Sequence, residues 1–298
     1  MVDALTFEQI ADDAEAVLDQ CRAAGLRVDV TRMALGVRRL REIAAHVGSH
    51  TPADPWPTFR GFADVAVIIE ASEFATLRAP LPRWLDDDRA VMLEKLERAL
   101  GGPAIPTDET ARSSDPRNIL FELALGAQIE ASGQPVTHGE HPDLTVPLRR
   151  RDVLVQCKRV LSEKQVEKNM KGAASQLEHD FDGSRRSAVG IVAVDVSRIV
   201  NPKWECLTFS TPKQVSTAMQ RRLSHVVERT LRVRSELSYP IVGTLFRFST
   251  IAHDVPRNRY VFANEMTLVK HDLPLMRRCH GTMAELHQVL NAAGIQAA

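Results

Sequence analysis

The segment "SAVGIVAVDVS", residues 187–197, constrains the fold more than any other stretch of this sequence. It is almost entirely apolar and lacks the alternation of polar and apolar residues that a half-exposed strand shows. A strand loses that alternation when both of its faces are buried. The segment therefore predicts a central strand in an α/β fold, in which helices flank the sheet.

The residues before this strand predict the rest of a small α/β core. Asp115 and Pro116 form a favourable helix start and Gly133 a stop, so we expect a helix over about 116–132. Ser162 and Gln165 have the spacing of a capping box, which opens a second helix to about residue 181. Between these helices, three segments rich in Val, Leu and Thr predict strands: 134–140, 142–150 and 152–160. The predicted order is helix, three strands, helix, strand.

The first hundred residues predict an all-α domain. Apolar residues recur at three and four spacing in "TFEQIADDAEAVLDQCRAAG", "TRMALGVRRLREIAAHVG" and "DDDRAVMLEKLERALGG". "TPADPWPT" is a Pro-rich break between them, and "GGPAIPTDETARSS" has the composition of an exposed linker. We therefore expect a helical domain over 1–101, a linker over 102–114 and an α/β domain over 115–298. The last part should hold a helix over about 211–237, strands over 241–252 and 259–269, and a closing helix over 282–294.

Composition excludes several classes of protein. The 298 residues are 44% hydrophobic and 26% charged, with 38 basic and 38 acidic side chains, so any nucleic-acid surface must be a local patch. No apolar run approaches the roughly 20 residues that span a bilayer, and the N-terminus is acidic, so we expect a cytoplasmic protein. Neither an HExxH motif nor a phosphate-binding glycine loop is present. The cysteines form no CxxC pair and predict reduced thiols: Cys21, Cys157, Cys206 and Cys279.

Polar residues interrupt the apolar pattern of the third predicted strand, "DVLVQCKRV". Because side chains alternate across a strand, Gln156 and Lys158 point to one face and Cys157 to the other. A hairpin with the preceding strand would bring Asp143, which follows Pro142, beside them. Glu122 in the first core helix has apolar neighbours and Gly126 one turn later, so its carboxylate needs a partner.

This order of elements and this spacing of residues resemble the PD-(D/E)XK nuclease superfamily, which has the restriction-endonuclease-like fold. In that family an acid follows a proline, and an acid-X-Lys triplet lies on the next strand. Here the triplet is Gln156-Cys157-Lys158, which is similar to the Q-X-K variant of the Mrr-like branch. The resemblance covers about residues 115–197 and implies an αβββαβ core with a mixed sheet.

The resemblance also implies the roles of these residues in a magnesium-dependent (or manganese-dependent) nuclease. Asp143 and Gln156 would bind the metal, the backbone carbonyl of Cys157 would add an oxygen, and Glu122 would supply the missing carboxylate. Mg²⁺ prefers one or two carboxylates with water and phosphate, and this set matches that preference. Lys158 would orient the attacking water or stabilise charge on the phosphate. Gln176 on the second core helix would support the site, although Asp180 stands where the family has a tyrosine.

Alternative interpretations stay open at the level of the sequence. A Pro-Asp pair is common in turns, Gln156 and Lys158 suit the polar face of an edge strand, and Glu122 suits a solvated helix face. The fold without catalysis would make a nucleic-acid-binding or scaffold module, and helices that oligomerise would make an interaction protein. The resemblance favours DNA over RNA as substrate and a role in restriction or defence against foreign DNA. It also favours a homodimer, since each active site cuts one strand.

Local charge is weaker evidence for a nucleic-acid partner. Residues 149–171 contain eight basic and three acidic side chains, a patch suited to a phosphate backbone. However, Lys164, Lys168 and Lys171 lie opposite the apolar stripe of their helix, where any solvated helix keeps its lysines. The arginines of the helix over 211–237 have the same simple explanation.

Overall fold

The structure of this chain is a computed structural model that describes residues 6–49, 62–104, 108–110, 113–183, 188–237, 240–257, 259–271, 279–292 and 296–297. The Pro-rich break over 51–58 lies outside this part of the chain. None of the helices in the described ranges is long and apolar enough to cross a bilayer. All four cysteines are free thiols, as the sequence predicted.

The N-terminal region is helical, which confirms the sequence prediction. Its helices are α1 (Phe7–Ala23), α2 (Arg32–Ser49), α3 (Phe62–Ala75), α4 (Leu81–Asp87) and α5 (Arg89–Leu100), with a 3-10 turn over Thr76–Arg78. Helix α1 begins with a complete capping box, in which the Thr6 hydroxyl accepts from the Gln9 backbone and the Gln9 side chain accepts from the Thr6 backbone. Local sequence therefore sets the start of this helix.

The α/β core follows the predicted order of helix, three strands, helix, strand. Its elements are α6 (Asp115–Glu130), β1 (Thr137–His138), β2 (Leu144–Pro147), β3 (Asp152–Arg159), α7 (Glu163–Gly183) and β4 (Ala188–Asp195). The remaining elements are α8 (Ser197–Val200), β5 (Leu207–Phe209), α9 (Pro212–Arg229), α10 (Leu231–Glu236), β6 (Ile241–Asp254), β7 (Arg259–Lys270), α11 (His280–Ala292) and β8 (Gln296–Ala297). The single helix predicted over 211–237 is divided at Thr230 into α9 and α10.

The strands form one mixed sheet with helices on its faces. In the described residues the order is β1-β2-β3-β4-β6-β7-β8, and β5 also pairs with β6. Strand β2 is antiparallel to β1 and β3, whereas β4 is parallel to β3 and β6. All eight residues of β4 are buried, so this long apolar segment is a central strand as predicted.

Contacts within the chain divide it into two units. The first contains residues 1–120, 201–218 and 249–264, and the second contains 121–200, 219–248 and 265–298. In the first unit, buried apolar residues of α1, α2 and α3 pack together, and the Glu70 carboxylate accepts hydrogen bonds from Arg32 and Arg117. The domain boundary predicted within 102–114 stays a prediction.

The second unit has different helices on the two faces of its strands. Alternate residues of β3, namely Val153, Val155 and Cys157, share an apolar cluster with α6 and α11. Helix α7 packs on the other face, where a Cβ at Gly190 would come within 2.9 Å of Phe181 Cζ and 3.2 Å of Leu177 Cδ1. Gly190 pairs with Leu154, so Leu154, Gln156 and Lys158 belong to the face that carries α7.

Candidate functional site

The hairpin of β2 and β3 places Asp143 beside Gln156. Leu144 pairs with Val155, so the residue before Leu144 meets the residue after Val155. Asp143 Oδ2 accepts a hydrogen bond of 2.8 Å from Gln156 Nε2 and another of 2.7 Å from the Cys157 backbone N–H. Antiparallel pairing thus brings together the two side chains that the sequence predicted to meet.

Gln156 has only one half of its amide satisfied by the protein. The residue is 1% exposed, and among the described residues Oε1 has no hydrogen-bond partner. A buried acceptor without a donor costs about 1–3 kcal/mol, so such an atom in a folded protein usually marks a water, an ion or a ligand. The unsatisfied oxygen lies on the amide whose nitrogen already contacts Asp143.

Lys158 lies two residues further along the same face of β3. It is partly exposed and has no ion pair or hydrogen bond within the described ranges. Cys157, between the two, points into the apolar cluster on the opposite face and is 3% exposed. The predicted alternation is therefore present, and the Cys157 thiol points away from Gln156 and Lys158, leaving its backbone as the part that contacts Asp143.

Glu122 is buried, and its neighbour is a histidine. Its Oε1 lies 3.6 Å from His138 Nδ1, and the side chains are 2% and 4% exposed, respectively. Helix α6 packs on the β3 face that carries Cys157, so Glu122 comes from the layer opposite to Gln156. The predicted apolar surroundings of Glu122 are present, but its role as a metal ligand stays a prediction.

The sequence pattern did not identify His138 as a site residue. Its position depends on the pairing of β1 with β2. It pairs with Leu144, the residue after Asp143, and its ring fits against Gly126, one turn after Glu122 in α6. A Cβ at Gly126 would lie 3.0 Å from His138 Cε1. The space beside Gly126 is occupied by this imidazole.

Helix α7 contributes two further polar side chains. Gln176 Oε1 and Asp180 Oδ2 are both buried, and neither has a hydrogen-bond partner in the part of the chain that the structure describes. Burial raises the pKa of the Asp180 carboxyl group above its ordinary value, and the charges of His141 and His179 act in the opposite direction. Gln176 was predicted as a supporting residue, whereas Asp180 was noted only as a departure from the family pattern.

The oxygen atoms that this site offers as ligands suit a hard cation such as Mg²⁺. Asp143 offers a carboxylate, Gln156 offers an unsatisfied amide oxygen, and the Cys157 carbonyl is the third oxygen that the resemblance implies. In the described residues no three His, Cys, Asp or Glu side chains come together as a metal-binding group. Any metal bound here therefore depends on amide or backbone oxygens as well as carboxylates.

Comparison with known proteins gives no match to any family model, curated protein or solved structure. Functional inference for this chain therefore depends on the arrangement of its own side chains.

Proposed function

We propose that this chain is a metal-dependent nuclease with the restriction-endonuclease-like fold. The observation that carries the proposal is the Asp143 carboxylate, which accepts hydrogen bonds from the Gln156 side chain and the Cys157 backbone, with Lys158 two residues further along the same strand face as Gln156. The order of elements from α6 to β4 agrees with the αβββαβ core that the sequence resemblance implies. DNA is the proposed substrate, ahead of RNA, in restriction or defence against foreign DNA.

The residues of the site would have different roles in phosphodiester hydrolysis. Two N–H donors fix the Asp143 carboxylate at the edge of the β2–β3 hairpin, so its orientation does not depend on a ligand. Asp143, Gln156 and the Cys157 carbonyl would hold Mg²⁺ or Mn²⁺, with Glu122 as the fourth predicted oxygen ligand. When bound, such an ion would stabilise negative charge on the phosphate and lower the pKa of an attacking water.

Lys158 supplies the positive charge that the protein itself contributes. Because no carboxylate in the described ranges neutralises it, its ammonium group is available to a phosphate oxygen or to the attacking water. Several neighbouring charges are already neutralised: Lys171 pairs with Glu236, Arg229 with Glu163 and Arg232 with Glu167. Lys158 is therefore a better candidate for catalysis than these paired cations of α7, α9 and α10.

The test is cleavage of plasmid, linear DNA and RNA by the purified chain with Mg²⁺, with Mn²⁺ and with chelator. We expect metal-dependent cleavage of DNA that falls by about 100-fold or more in Asp143→Ala and in Lys158→Ala, because each removes a charged group from the site. Lys168→Ala, which removes an exposed lysine from α7, is the matched control and should retain cleavage. Undiminished cleavage in both site variants would refute the proposal.

A second candidate function is a nucleic-acid-binding or scaffold module that keeps the fold without catalysis. The observation that favours it is the Gln156 amide, which replaces an acid and occupies one oxygen of Asp143. Tight binding of DNA or RNA without turnover, with either metal, would support this candidate over the nuclease.

A further inference from the structure

Helix α7 carries two buried acceptor atoms, in Gln176 and Asp180, that no described residue satisfies. The two residues are four apart and therefore lie one above the other on the helix. Neither Gln176 Oε1 nor Asp180 Oδ2 accepts a hydrogen bond from any described residue. A carboxylate oxygen in such surroundings needs a cation or a donor, since leaving it unsatisfied is costly.

Helix α7 packs on the same side of β3 as Gln156. Leu177 and Phe181, which neighbour the two polar residues in α7, contact the position of Gly190. Gly190 pairs with Leu154, which shares its face of β3 with Gln156. The turn of α7 over 176–181 therefore packs on the layer that holds the Gln156 amide.

Asp180 is also within electrostatic range of the loop that precedes Asp143. His141 is close enough to act electrostatically on the Asp180 carboxylate, and it precedes Asp143 by two residues. Gln156 provides an independent sign of a ligand, because it is 1% exposed, contacts Asp143 and has an unsatisfied Oε1. Among the described residues, buried oxygens without a hydrogen-bond partner thus occur on β3 and on the helix that packs against the same face, while Glu122 already has His138 as a neighbour.

We propose that Asp180 is the second carboxylate of the Asp143–Gln156 site and that it binds the same divalent cation, with Gln176 as a further oxygen donor. The site would then hold two carboxylates and two amides, and the acid missing at position 156 is replaced from α7 rather than from α6. This inference rests on the proposed metal-dependent function and names a ligand for it. The cation that fits such a set of oxygen donors is Mg²⁺ or Mn²⁺.

The test is calorimetric titration of the full chain with Mn²⁺, which measures metal binding without substrate or turnover. We expect Asp143→Asn to abolish measurable binding and Asp180→Asn to weaken it by about ten-fold or more. Glu178→Gln, which removes an exposed carboxylate from the same turn of α7, is the matched control and should leave the affinity within about two-fold of the wild type. Glu122→Gln should have less effect than Asp180→Asn.

The results of this titration distinguish the role of Asp180 from the proposed metal-dependent function. If Asp143→Asn loses binding while Asp180→Asn binds like the wild type, the metal site stands and the role of Asp180 is refuted. A larger loss in Glu122→Gln than in Asp180→Asn would assign the second carboxylate to α6 and refute it equally. If the wild type itself binds no Mn²⁺, the metal-dependent function fails and this inference fails with it. Circular dichroism checks folding, and Asp180→Ser replaces Asp180→Asn if the latter does not fold.

Discussion

The hydrogen bonds around Asp143 hold its carboxylate in place in the β2–β3 hairpin. Two N–H donors converge on Oδ2, one from the Cys157 backbone and one from the Gln156 amide. A glutamate at position 156 could not donate, and it would place a second negative charge next to the first. The neutral amide therefore stabilises the Asp143 carboxylate, and in the proposed function the remaining ligands of the cation would come from other positions.

Gln156→Glu tests this interpretation at the level of a single residue. Because position 156 is 1% exposed, the new carboxylate would be buried beside Asp143 and lose the present hydrogen bond. We expect the free energy of unfolding in chelator to fall by about 3 kcal/mol, and Mn²⁺ to restore most of the loss. Urea unfolding with and without Mn²⁺ measures both effects. Gln165→Glu on α7 is the control, and equal stability of the two variants in chelator would contradict the interpretation.

At the level of elements, the position of α6 depends on the absence of a side chain at Gly126. A Cβ there would lie 3.0 Å from His138 Cε1 and 3.4 Å from Leu144 Cδ2, and both side chains are buried. The imidazole of β1 therefore fills the space that an ordinary helix residue would take. Since His138 also contacts Glu122, a shift of its ring would move a predicted site residue.

Gly126→Ala and Gly172→Ala form a matched pair of helix substitutions. An alanine normally stabilises a helix by about 0.5–1 kcal/mol relative to glycine, and Gly172 in α7 has nothing within 4 Å of its Cβ position. We expect Gly172→Ala to show that gain and Gly126→Ala to lose about 1 kcal/mol, because overpacking against His138 outweighs helix propensity. Chemical denaturation of both variants measures the difference. An equal gain in the free energy of unfolding at both positions would show that the His138 ring moves aside without a cost in stability.

At the level of the whole molecule, two units share the chain, and each includes parts distant in sequence. The first unit takes in residues 201–218 and 249–264 as well as the N-terminal helices, so strands β6 and β7 each contribute to both units. Local pattern cannot reveal this division, because the division depends on which segments contact each other and not on the composition of any linker.

Stability of the second unit should depend on pH through a buried histidine. His271 is 4% exposed, its Nε2 lies 2.9 Å from Thr244 Oγ1, and burial lowers its pKa from 6.5 to about 4. Between pH 6.5 and about pH 4, the imidazole binds a proton in the unfolded chain but not in the folded chain. The free energy of unfolding therefore decreases as the pH falls through this window. We expect a loss of up to about 3 kcal/mol from this group.

Urea unfolding at several pH values between 4 and 7 measures this dependence. His271→Gln should flatten the slope over the window, whereas His179→Gln, at an exposed position of α7, should keep the slope of the wild type. The same slope in His271→Gln as in the wild type would show that other groups control the acid sensitivity.

The sequence by itself determined the kinds and order of the core elements and one half of the candidate site. Capping residues, apolar periodicity and the long apolar strand are local signals, so α6 to β4 follow the predicted order, while the short β5 and α8 carry no such periodicity and were not predicted. Alternation along β3 and a hairpin with β2 were enough to place Gln156 and Lys158 on one face and Asp143 beside them.

Only the tertiary structure decided how the other elements pack around Asp143, Gln156 and Lys158. His138 reaches Glu122 because β1 pairs with β2 in one register and α6 packs with Gly126 against it. Helix α7, which carries Asp180, lies on the Gln156 face of the sheet because Leu177 and Phe181 lie against Gly190. Strand register and helix rotation arise from packing between segments that are far apart in the sequence, so no local pattern predicts them. Side-chain alternation and helix capping act within a few residues, and the sequence alone therefore shows them.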